Sequence, residues 1–153
     1  MKKVILNKCF GGFDVSPQAY QLYAMKKGYS HLYKYIWDIP KNYSPFDTDD
    51  KNDRSYILVD LFNDNIFGFY FTKYFGDKIR YSEISKEDWN KYHLSLNSDN
   101  REDPILIEVV EELGDEASGT YGELVIVEIP DDLNYVIDNY DGIETLHEDV
   151  EVW

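Results

Sequence analysis

Hydrophobic and polar positions alternate along this chain in short runs whose period changes several times. Residues 2–9 form an apolar run around Val4, Ile5 and Leu6 that predicts a strand. Gly11 and Gly12 break the run, and Ser16 followed by Pro17 announces a helix. The serine hydroxyl can accept from an orphan N–H of the first turn, and proline is pre-set for the first helical residue. That helix is expected to reach Lys27, with Ala19, Tyr20, Leu22 and Tyr23 on its apolar face, Lys26 and Lys27 at its negative end and Gly28 to stop it. Residues 31–37 alternate like a half-exposed strand. Residues 38–54, with Pro40, Pro45 and the acids Asp47, Asp49, Asp50 and Asp53, read as a loop.

Further on, residues 55–62 and 66–75 are both strand-like, and Asn63, Asp64 and Asn65 between them predict a hairpin. Gly68 inside the second marks a bulge. A shorter strand over 79–84 leads to Ser85, the cap of a brief helix carrying Trp89 and Tyr92. Asp103 and Pro104 start the clearest helix. Ile105, Leu106, Val109, Val110 and Leu113 fall on one face, Glu108, Glu111 and Glu112 on another, and Gly114 ends it. Residues 123–129 and 135–140 are strands, and Asp141-Gly142 is a hairpin turn returning the chain from Ile143 to Trp153. The pattern has no internal repeat. It predicts one α+β domain over residues 1–153, with two or three helices packed on a mostly antiparallel sheet.

Charge changes this picture, because it is unevenly spread. Residues 1–98 hold 14 Lys/Arg against 12 Asp/Glu, whereas residues 99–153 hold one basic residue, Arg101, against 18 acids. A field of one sign repels nucleic acid and anionic membranes and steers basic partners. The near-neutral part is rich in aromatic residues, and the whole chain has 14 Tyr, 8 Phe and 3 Trp. Such rings serve a β-rich core, or stack on bases and partner surfaces. Tyr-rich edges also allow a homodimer. No run approaches the roughly 20 apolar residues of a membrane helix, and the N-terminal apolar stretch ends at Asn7 and Lys8, too early for a signal sequence. The lone Cys9 has no partner for an internal bridge. These features lead us to expect a cytoplasmic protein, and they make the Asn42 sequon a chance match.

Candidate chemistry is sparse. His31, His93 and His147 lack metal-ligand spacing, and the Asp47–Asp53 run has Lys51 and Asn52 where a calcium loop needs a ligand and a glycine. No nucleophile motif is present, and carboxylate pairs are too common here to mark a catalytic one. No catalytic residue, metal or cofactor is therefore assigned, and the expectation is a protein that is not an enzyme.

Two features remain. Lys8, Phe10, Gly11, Gly12, Phe13 and Ser16 form a strand-to-helix turn whose exposed N–H groups can hold a phosphate while a ring stacks on a base; a tight connection needs the same glycines, and Asp14 opposes an anion. Glu108, Glu111, Glu112, Asp115 and Glu116 form an acidic face that either imitates DNA toward a basic groove or only keeps the protein soluble.

Two stretches carry a resemblance. One is Lys3 to Phe13 with its Cys9-Phe10-Gly11-Gly12 core, followed by the helix containing Leu22, Tyr23 and Ala24. The other comprises Glu102-Asp103-Pro104, Val109 to Gly114, Ala117 to Gly119, Leu124 to Asp132 and Tyr140 to Gly142. In these the chain resembles a family of small uncharacterised proteins encoded by bacteriophages. Residues 29–98 match nothing in it and read as a variable segment. The resemblance brings no catalytic residues. It implies a binding protein acting in the bacterial host cell against host defence or host machinery. Its partner would be a small nucleotide signal or, alternatively, a host DNA-binding protein, with no direct contact to nucleic acid or membrane.

Overall fold

A computed structural model describes residues 1–38, 54–63 and 68–149. The expected acidic loop, the Asn63–Asn65 turn beyond Asn63 and the last four residues lie outside the described residues. Among those described, three helices and nine strands alternate, and every strand pairing is antiparallel, which makes the fold α+β. The chain divides into two compact units, residues 1–28 with 96–153 and residues 29–95.

The first unit joins the two ends of the sequence. Strand β1 (Lys2–Asn7) pairs with β7 (Leu124–Ile129), Val4 opposite Val127. Helices α1 (Pro17–Lys26) and α3 (Pro104–Leu113) pack together, and β8 (Tyr135–Tyr140) and β9 (Ile143–Glu148) form the Asp141-Gly142 hairpin. Alternation along β1 settles which side faces what. Val4 and Leu6 join Ile129 in a core filled by Val125, Val127, Leu133, Tyr135, Ile137 and Leu146, whereas Lys3 on the alternate side reaches Glu111 of α3 at 2.8 Å. Both long helices start as expected. Ser16 accepts from the Ala19 N–H and Asp103 from the Ile105 N–H, each followed by proline.

In the second unit a five-stranded sheet runs β5 (Lys78–Arg80), β3 (Ser55–Val59), β2 (Tyr33–Trp37), β4 (Gly68–Phe71), β6 (His93–Leu94). The hairpin expected between β3 and β4 does not form, since β2 lies between them and pairs with both. The central place suits β2, where Lys34 and Tyr35 are buried and β3 and β4 bring apolar faces to either edge. After Val59 the chain turns back on Asp60, which accepts from Phe62 and Asn63. The expected strand over 79–84 stops at Arg80 and becomes a short turn of helix over Tyr81–Glu83, which leads to α2 (Lys86–Tyr92), capped by Ser85. Tyr35, Tyr56 and Phe71 centre the core, with Trp89 and Tyr92 of α2 packed against it.

Candidate functional site

The glycine turn after β1 is closed by its own chain. Gly11 and Gly12 both adopt positive φ, 137° and 122°, and the hairpin turn lies on them. The Gly11 N–H donates to the Asp141 carbonyl at 3.2 Å, and a Cβ on Gly142 would stand 2.6 Å from the Gly12 nitrogen. Ser16 is buried, its hydroxyl donating to the Glu116 carbonyl and its N–H to Ala117, so the α1 start faces the 114–117 turn. Lys8 Nζ donates to the Glu144 carbonyl at 2.9 Å, and the Phe13 ring lies under the Arg101 guanidinium. Asp14 accepts from the Tyr121 N–H. Of the six residues expected to hold a phosphate and base, Lys8, Phe10 and Gly11 are largely exposed, but the Lys8 ammonium and the Gly11 and Ser16 N–H groups are taken by carbonyls of the chain itself, and Gly142 lies against the Gly12 nitrogen. Here Gly11 is needed for close backbone approach to Tyr121, and Gly12 for its positive φ, since a side chain there would meet open space.

The acidic face is also partly spent. Lys26 of α1 bridges Glu108 at 3.1 Å and Glu112 at 2.9 Å, and Lys3 takes Glu111. The neighbouring carboxylates raise the affinity of both lysines for their protons. Asp115 and Glu116 stay exposed in the 114–117 turn. The stripe is thus a zipper that ties α3 to α1 and to β1, and its lysines come from the part of the sequence that holds nearly all the cations.

A third place is concave. Tyr81, Ser82, Ile84, Lys86, Trp89 and Asn90 line an open cleft of about 500 Å³ in the second unit. The short turn of helix supplies Tyr81 and α2 supplies Lys86, Trp89 and Asn90, three and four residues apart and hence on one face. Tyr81 and Trp89 meet at 5.7 Å between ring centres, inclined by 63°. Behind the cleft, the Trp89 ring is held by His93 at 4.9 Å, Phe71 at 5.1 Å and Phe69 at 5.3 Å, so its orientation is set by the core. Burial among these rings lowers the His93 pKa below its ordinary 6.5. Of the nearby acids, Glu83 accepts from the Arg80 N–H and Asp88 faces Lys73 at 3.8 Å. Glu87 has no partner among the described residues. The walls can stack on a flat ring, Lys86 supplies a cation for an anionic group, and Ser82 and Asn90 can donate and accept.

Trp89 was visible in the sequence only as part of a brief helix. The signal for a site was the spacing of Lys86, Trp89 and Asn90 after the Ser85 cap, but Tyr81 joins them only because β5 ends at Arg80.

Among the described residues, no group of three His, Cys, Asp or Glu could hold a metal ion, and no helix is long and apolar enough to cross a membrane. No protein-family model, curated protein or solved structure matches the chain.

Proposed function

We propose that this is a non-enzymatic binding protein of a bacteriophage that holds a small nucleotide, and so counters a host defence signal or host machinery. The observation that supports this reading is the Tyr81–Trp89 cleft, where two aromatic rings and a lysine converge beside a rigid core. The cleft belongs to the nearly neutral unit. Residues 29–95 hold nine basic and eleven acidic residues, against six and nineteen for the rest of the chain, so an anion is repelled least there. The site moves from the glycine turn to the cleft because the Gly11 N–H and the Lys8 ammonium are already taken by carbonyls and Gly142 lies against Gly12. Imitation of DNA by the α3 face is the weaker alternative, since Glu108, Glu111 and Glu112 already have lysine partners.

The test is calorimetric titration with adenosine and guanosine monophosphates and a cyclic dinucleotide. Base–aromatic stacking contributes about 1–3 kcal/mol. Tyr81→Ala should therefore weaken binding about tenfold or more, Lys86→Ala should weaken it by removing the cation that faces the anionic group, and Phe13→Ala should leave it unchanged. Equal affinity in all variants would show that the nucleotide does not bind in the cleft.

A further inference from the structure

The β8–β9 hairpin has an open edge. Its register pairs Val136 with His147, Asp138 with Thr145 and Tyr140 with Ile143, and it continues in the Asp149 N–H bond to the Asn134 carbonyl. In an antiparallel ladder the hydrogen-bonded residues alternate. The N–H groups of Tyr135, Ile137 and Asn139 therefore point away from β9, and among the described residues none of them donates to any group. An N–H without a partner is rarely buried, so this edge faces water. Side chains alternate at right angles to the same strand. Tyr135 and Ile137 pack into the core, while Val136, Asp138 and Tyr140 are exposed, Tyr140 to 74 %.

β9 differs. The Glu144 carboxylate accepts from the Asn7 N–H and its carbonyl from Lys8, so that side is held by β1.

Charge decides what can pair with the free edge. Residues 131–149 carry seven carboxylates and no lysine or arginine. His147 faces Asp138 at 3.5 Å. Glu144 is neutralised by Arg101 and Asp131 by the N-terminal ammonium, which leaves Asp138 as the carboxylate within β8. A second copy of the chain would set its own Asp138 against the same edge, and a charged residue in mid-strand is a common guard against such self-pairing. A cationic strand meets the opposite sign. We infer that β8 is a docking edge for an extended basic segment of a partner protein, which adds as a strand to Tyr135, Ile137 and Asn139 and sets lysine or arginine near Asp138 and apolar side chains near Val136 and Tyr140. This surface is independent of the nucleotide cleft.

Hydrogen exchange on the intact wild-type protein tests it. The probe is a blocked synthetic peptide of about eight residues that alternates lysine and valine, with a control methylated on alternate backbone nitrogens. The peptide should slow exchange at Tyr135, Ile137 and Asn139 by about tenfold or more, and the methylated control should not, because strand addition needs backbone bonds. Val136→Lys, on the exposed face, should weaken the protection. Unchanged exchange would overturn the inference, as would equal protection by the methylated peptide, which would mean contact by charge alone. Protection of the same amides by self-association, seen in sedimentation without peptide, would overturn it as well.

Discussion

Arg101, the one cation of the acidic C-terminal stretch, is spent on a buried two-pronged pair with Glu144. Nη2 meets Oε2 at 2.9 Å and Nη1 meets Oε1 at 3.2 Å, with the two side chains 15 % and 5 % exposed. The pair joins distant parts of the first unit. Arg101 also donates to the Ile5 carbonyl and accepts from the Ile5 N–H, while Glu144 accepts from Asn7. Asn7 completes the junction by donating to the carbonyls of Cys9 and Gly142 and accepting from Glu123.

Removing one partner should therefore be costly. Glu144→Ala leaves a buried guanidinium unpaired, and a loss of about 3–5 kcal/mol is expected in denaturant unfolding. Arg101→Met with Glu144→Leu should recover much of it, because two apolar side chains leave no charge in the interior.

Gly142→Ala should destabilise the first unit by about 2 kcal/mol or more, from positive φ together with crowding against Gly12. Its φ is 96°, and the added carbon would also lie 2.7 Å from the Gly11 nitrogen. Thermal unfolding checks this, with Gly28→Ala as the comparison, where φ is 92° but no atom lies within 4 Å of the added carbon.

Charge reversal at Glu111 and Glu112 should act on folding. With Lys3 and Lys26 facing new lysines, α3 repels β1 and α1, and salt should restore part of the lost stability. A variant as stable as the wild type at low salt would contradict the zipper.

These contacts show which parts of the fold were legible in the sequence. Local signals were strong. Ser16-Pro17, Asp103-Pro104, Gly28 and Asp141-Gly142 each act within a few residues, and each element stands where its signal puts it. Partners distant in sequence were not legible. Nothing near Asn63 says that β2 will enter between β3 and β4. Nothing near Gly11 says that Asp141 will cover it from 130 residues away. The charge boundary at Ser98 misled in the same way, since Lys3 and Lys26 fold back onto the acids of α3. The segment read as variable, 29–98, nearly coincides with the second compact unit, 29–95. The candidate site was missed because Tyr81 and Trp89 meet only in three dimensions.

Acid should loosen the second unit through His93. Burial disfavours its imidazolium in the folded state, so its pKa is lowered from 6.5. The stability this neutral ring contributes is complete above that value and falls with pH below it, where the unfolded chain takes up a proton that the folded one refuses. Near-ultraviolet circular dichroism between about pH 7 and 4 should report loss of aromatic packing, and His93→Phe should shift that loss to lower pH.

The most direct measurement follows the Trp89 indole N–H by nuclear magnetic resonance during titration with a cyclic dinucleotide, with Trp37 and Trp153 as internal controls. A saturable shift at Trp89 is expected, lost in Lys86→Ala at the same concentrations. Saturable binding seen by calorimetry with the Trp89 signal unmoved would contradict nucleotide binding in the cleft.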